Sequence, residues 1–184
     1  MKGIAFTDVM NVARRAGLKS MTRRIKSLGG KPPYKVGEVL YVRERHCIGG
    51  WEEDKMKCLV HYDDEVRSVS ITDQDLEKIK ARKRPFWRLP GRYMLASFAR
   101  DHIRVTAIRS ERLRAITEAD AIREGVEMLP GETFRDYEKP DNDFVLATSS
   151  FRSLWQSIHG PESWSANPEV WVIEFENTSK PTAP

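Results

Sequence analysis

Residues 102–113 alternate in side-chain character, with Ile103, Val105 and Ala107 falling on one side and Arg104, Thr106 and Ile108 on the other. Successive side chains of a strand leave opposite faces, so this pattern predicts a long β-strand. Its backbone needs partners. Strands are predicted at 39–45, where Val39 and Tyr41 oppose Leu40 and Val42, at 57–62, with a turn at Gly49-Gly50 between the two, and at 170–175. Helices are predicted at 7–16, opened by Thr7 and closed by Gly17, at 72–80, and from Thr117 to a stop at Gly125. A fourth is marked by Phe151, Leu154, Trp155 and Ile158, spaced i, i+3, i+4, i+7 before Gly160-Pro161, and Trp155 on this stripe is expected to be buried. Segments 19–35 and 128–147, interrupted by Gly and Pro, read as loops. The predicted strands and helices do not alternate regularly, which argues against a βαβ sheet. The expected fold class is α+β, a small mixed β-barrel with peripheral α-helices.

Hydrophobic residues make up 40% of the 184 positions and charged ones 32%, enough for a core and too balanced for wholesale disorder. No apolar run approaches the roughly 18 residues that cross a bilayer. The start, Met1-Lys2-Gly3-Ile4-Ala5-Phe6, has no signal-peptide pattern. Two cysteines, Cys47 and Cys58, suit a reducing compartment. The expectation is a cytoplasmic protein without a membrane partner.

The net charge of +4 conceals an uneven distribution. Residues 9–37 and 78–100 contain sixteen of the 31 basic side chains and none of the 27 acidic ones. Brought together, the two blocks would make a positive face that attracts polyanions. Kept apart, they are two solvated surfaces. Aromatic residues within the second block, among them Phe86, Trp87 and Tyr93, favour nucleic acid, because bases stack on such rings. Arg82, Lys83, Arg84, Trp87 and Arg88 are the contacts this block offers. His46, Cys47, Cys58 and His61 cluster in sequence, but adjacent or odd-spaced strand residues leave opposite faces and no Cys-x-x-Cys pair is present. No metal and no cofactor are expected.

Four motifs in register resemble the ASCH family, most of all its phage and prophage versions. They are Gly17-Leu18-Lys19-Ser20-Met21-Thr22-Arg23-Arg24 after the first helix and Gly37-Glu38-Val39-Leu40-Tyr41-Val42-Arg43-Glu44 on the next strand. Then come Ser110-Glu111-Arg112-Leu113 with the acidic helix through Glu124-Gly125, and a C-terminal group. That group joins residues 151–158, the turn 164–168 and Trp171-Val172-Ile173-Glu174-Phe175. The resemblance implies a PUA-like barrel over residues 1–176 with a pocket beside the first helix, a basic and aromatic insertion at about 62–92, and a flexible tail at 177–184. It implies binding of RNA or a modified nucleoside, in the host cytoplasm if the chain is phage-encoded.

One branch of the family resembles amidohydrolases that deacetylate the exocyclic amine of cytidine, using a Lys, a Thr three residues on and a distant Glu. The matching positions are Lys19, Thr22 and Glu124. Lys19, its pKa lowered by burial or by Arg23 and Arg24, would take the Thr22 proton. Glu124 would pass it to the leaving amine, and N–H groups of the 20–24 turn would hold the oxyanion. Neither Lys19 nor Thr22 is expected to contribute much to the core. Alternatively Lys19 is a phosphate ligand, Thr22 caps a turn and Glu124 pairs with an arginine. Arg23, Arg24 and Arg43 are ligand-contact candidates, while Glu44 reads as half of a structural ion pair. Binding without turnover, amide hydrolysis, ribonuclease action and capture of an acidic host protein remain the functional alternatives.

Overall fold

The computed structural model describes residues 1–27, 30–82, 88–139 and 141–180. Along the chain run β1 (Gly3–Ala5), α1 (Asp8–Arg15), β2 (Met21–Ile25), β3 (Val39–Arg43), β4 (Cys47–Glu52), β5 (Lys57–His61) and β6 (Val66–Ser70). They are followed by α2 (Asp73–Lys80), β7 (His102–Arg112), α3 (Glu118–Arg123), β8 (Met128–Leu129), β9 (Thr133–Arg135), β10 (Asp143–Phe144), α4 (Ala147–His159) and β11 (Glu169–Thr178). Three helices start at threonines whose hydroxyls accept from the backbone N–H three residues on: Thr7 from Met10, Thr72 from Asp75 and Thr117 from Asp120. Thr72 and Asp75 complete a capping box. Acidic first turns and basic last turns in all three complement the helix dipole.

The chain divides into two compact units. The first comprises Met1–Phe6, Val39–Ile103 and the residues from Thr178. In it β1 lies parallel to β3, with Ile4 opposite Val42, and β4, β5 and β6 form an antiparallel meander. The core gathers Ile48, Val60, Tyr62 and Phe98 with Leu76 and Ile79 from α2. The predicted Gly49-Gly50 turn lies inside β4 instead, at a register shift between Ile48 and Gly50. Gly49 serves a bulge: a Cβ there would come within 2.3 Å of the His61 ring. Glu44 is held by Arg100, whose Nε and a terminal nitrogen donate to both carboxylate oxygens at 2.8 Å while its guanidinium sits 4.4 Å from the Tyr62 ring centre.

The second unit comprises Thr7–Glu38 and Arg104–Asn177. Here β11 lies between β7 and β2, and its antiparallel register with β2 sets Thr22 opposite Ile173 and Arg23 opposite Val172. α4 buries Phe151, Leu154 and Trp155, while Ile158, in the last turn before Gly160, stays half exposed. Two predicted loops contain strands. β2 escapes an apolar pattern because one of its buried side chains is Arg23, paired with carboxylates instead of packed among hydrocarbon. β8, β9 and β10 make a three-stranded sheet from strands of two or three residues, too short to show alternation. β11 also runs to Thr178, past the expected start of the tail, and Asn177 exchanges hydrogen bonds with Arg14. The architecture is α+β with several sheets, and none closes on itself among the described residues. No helix among them is long and apolar enough to cross a membrane.

Trp155 is 3% exposed and packs with the Phe151 ring at 6.1 Å between centroids. Trp155→Ala is expected to cost about 3–5 kcal/mol in a urea melt. Wild-type stability in that variant contradicts the packing described for α4.

Candidate functional site

The turn after α1 delivers the site's first residue. Gly17 adopts φ +77°, and the Leu18 and Lys19 N–H groups both donate to the Ala13 carbonyl, which reverses the chain. The Ser20 N–H donates to the Arg123 carbonyl at 2.9 Å, and the Phe175 N–H donates to the Ser20 carbonyl at 2.9 Å. Lys19 is thereby set against the end of α3. Its Nζ donates to the Glu124 carbonyl at 2.6 Å and to Glu124 Oε2 at 3.0 Å. The side chains are 2% and 4% exposed. Gly125 makes this approach possible: it has φ +83°, and a Cβ would stand 2.7 Å from the Lys19 Cβ.

Arg23 occupies the centre of a charge network. Its NH2 donates to Glu111 Oε1 at 2.6 Å and Asp120 Oδ2 at 2.7 Å, and its NH1 to Glu124 Oε1 at 3.0 Å. Arg109 extends the network to Glu111, Asp120 and Glu174, and Arg123 donates to Glu174 Oε2 at 2.7 Å. Four cations, Lys19, Arg23, Arg109 and Arg123, thus meet four carboxylates. Sequence reasoning did not single out Arg109 or Glu174 as site residues. Their signal was the i, i+2 spacing of Arg109 and Glu111, which puts both on one face of β7.

Burial lowers the Lys19 pKa below the usual lysine range, with Arg24 and Arg23 acting in the same direction and Glu124 opposing them. Burial likewise lowers the pKa of Arg24, which interacts electrostatically with Glu124 and Tyr34. A lysine amine with a lowered pKa beside a carboxylate can exchange a proton with a neighbouring hydroxyl or amine. Thr22 is buried one residue from Arg23, and strand alternation turns the two to opposite faces. Lys19 and Thr22 therefore belong to the interior, against the expectation that they add little to the core. The expected oxyanion turn is not formed either: residues 21–25 are strand and the Ser20 N–H is already taken. A cavity of about 450 Å³ does lie beside α1, lined by Val9, Val12, Leu18, Ile122, Met128 and Phe134 among others. It is apolar, and Lys19, Thr22 and Glu124 are not in its lining.

Three further sequence candidates, Arg43, Arg82 and Arg88, lie in the first unit. Arg43 is half-buried, with Nε 3.3 Å from the Tyr41 hydroxyl that accepts its hydrogen bond. Arg82 donates to the Tyr93 carbonyl at 2.6 Å and Arg88 to Asp63 at 2.6 Å. Lys83, Arg84 and Trp87 lie outside the described residues. Burial pushes the Cys58 thiol up to about 11, and no group of three or more His, Cys, Asp or Glu among the described residues could hold a metal ion. No family model matches this chain, and neither a curated protein nor a solved structure does.

Gly125→Ala is expected to lose about 1–3 kcal/mol, because the new methyl meets both a positive φ and the Lys19 stem. Thermal melts beside Gly131→Ala, which has positive φ but open space around it, isolate the steric part. Equal losses in the two variants contradict the close approach.

Proposed function

We propose that this chain is a PUA-like domain of the ASCH type that acts in the cytoplasm on a modified nucleoside, free or within RNA, and hydrolyses an acyl group from its exocyclic amine. The observation that carries this reading is the 3.0 Å contact between Lys19 Nζ and Glu124 Oε2, two groups 105 residues apart that no local periodicity joins. Burial stabilises the neutral amine, the form that accepts a proton.

On this reading Lys19 Nζ takes the Thr22 hydroxyl proton as the oxygen attacks the acyl carbon. The C–N bond to the exocyclic amine breaks, and Glu124 relays the proton from Lys19 to the departing nitrogen. Water, deprotonated by the same pair, then cleaves the Thr22 ester and releases a carboxylic acid. Arg23 NH1, 3.0 Å from Glu124 Oε1, orients the carboxylate.

The polyanion reading receives less support among the described residues. Lys80, Arg88 and Arg100 in the second basic block all pair with carboxylates, and Arg100 is 6% exposed. The buried Lys19–Glu124 pair therefore takes precedence over a phosphate-gripping face.

Cytidine acetylated on its exocyclic amine, incubated with the protein and followed by mass spectrometry, is expected to yield cytidine and acetate. Lys19→Met and Thr22→Val, which preserve buried volume, should each lower the rate by about 10²–10⁴-fold. The rate should rise with pH as Lys19 loses its proton and level off below the ordinary lysine value of about 10.4. Binding without turnover in the wild type reduces the function to recognition, and full activity in both variants removes these residues from the chemistry.

A further inference from the structure

Helix α1 is turned the wrong way round for a solvated surface. It buries Asn11 and Arg14 beside Met10, and it leaves Val9 and Val12 in the open. The buried polar pair is satisfied within the second unit. Arg14 Nε donates to Asn11 Oδ1 at 2.9 Å and its NH1 to Asn177 Oδ1 at 2.7 Å, while Asn177 Nδ2 donates to the Arg14 carbonyl at 3.0 Å. A surface helix ordinarily keeps its charged residues outward. Valine is also a poorer helix former than the polar residues that usually fill a solvated face. An inward arginine with outward valines therefore marks a face that something covers.

The valines are not scattered. Val9 and Val12 line the apolar cavity beside α1 together with Leu18, Ile122 and Met128, and these five residues are between 44% and 66% exposed. A small-molecule pocket encloses most of its ligand. Here the apolar side chains themselves stand half out of the surface, so a small molecule seated among them leaves them wet, and a second protein surface covers them. Together they expose about 500 Å², the size at which an apolar patch on a monomer marks an interaction site. Two such patches facing each other remove about 1,000 Å² before any flanking residue is counted, which reaches the threshold for a specific interface.

The pattern of the face selects its occupant. Val9, Val12 and Ala16 are spaced i, i+3, i+7, the seam of a helix pair. Asp8 and Arg15, both exposed and two turns apart, flank that seam on one side with opposite charges. A twofold axis across α1 runs two copies of the helix antiparallel, which brings Asp8 of one copy beside Arg15 of the other at both ends. A parallel pairing gains neither contact. We infer that this face is the interface of a homodimer, in which α1 pairs antiparallel with α1 of a second copy over the apolar cavity. Gly125 shares the lining of that cavity and lies against the Lys19 stem, so the interface backs onto the Lys19–Glu124 pair. The pairing requires nothing of that pair's chemistry.

The test is sedimentation equilibrium of the whole protein across the micromolar range. The expected result is a concentration-dependent rise from the monomer mass to twice that mass. Val12→Glu, at a position already exposed in the monomer, should fold normally and weaken association at least about 30-fold, the effect of losing a central anchor. Arg15→Glu and Asp8→Lys should each weaken it too, because each sets like charges together at both ends of the pair. Mixing those two variants should restore a dimer, since the mixed pair regains opposite charges at both ends. A wild-type protein that stays monomeric throughout overturns the inference, and uptake of a hydrophobic dye by that monomer gives the face to another occupant. A dimer as tight in Val12→Glu as in the wild type, or no rescue on mixing, overturns it as well. Should Asp8→Lys fail to fold, Arg15→Glu alone decides the pairing, and association as tight as in the wild type contradicts it.

Discussion

The buried guanidinium of Arg23 is the interaction on which the second unit depends. Withdrawing a cation from water costs several kcal/mol, and recovering that cost demands well-placed carboxylates. Glu111 from β7, Asp120 from α3 and Glu124 after α3 supply them, at sequence separations of 88, 97 and 101 residues. Although burial works against its charge, these partners together raise the Arg23 pKa above the usual arginine value. One side chain on a strand therefore fixes where α3 ends. The position of Glu124 beside Lys19 follows from that constraint, and so does the need for glycine at 125.

Much of the fold could be read from local chemistry. The threonine caps of α1, α2 and α3, the long alternation of β7 and the apolar stripe of α4 are each decided by residues within a few positions of one another. The misreadings share a physical cause. β2 buries Met21, Thr22 and Arg23, and its inward arginine is satisfied only by residues far along the chain. Gly49-Gly50 looks like a turn until the proximity of His61 is known. β8 to β10 are too short for periodicity to register.

The site was legible to a different degree. Lys19, Thr22 and Glu124 were reached through resemblance to a family, and composition would not have selected them. The contact of Lys19 with Glu124 is a tertiary fact, as is the enclosure of Arg23 by three acids. In the second basic block, Lys80, Arg88 and Arg100 each pair with carboxylates from other parts of the chain. Arg100 ends between Glu44, Asp64 and Glu65, where it organises the first unit instead of facing solvent.

Whether Lys19 is a proton acceptor or an ordinary ion-pair ammonium is the central question, and both forms are compatible with a 3.0 Å contact to Glu124. The two differ in the proton affinity of one nitrogen. Burial and the neighbouring arginines lower that affinity, while Glu124 raises it, and the balance favours lowering. The direct measurement is an NMR pH titration of selectively labelled lysine side chains, with Lys19 assigned by its absence in Lys19→Met. The account predicts that Lys19 titrates below the exposed lysines, in the direction that burial imposes. Titration together with them at about 10.4 or above would show a structural ammonium and contradict the catalytic reading.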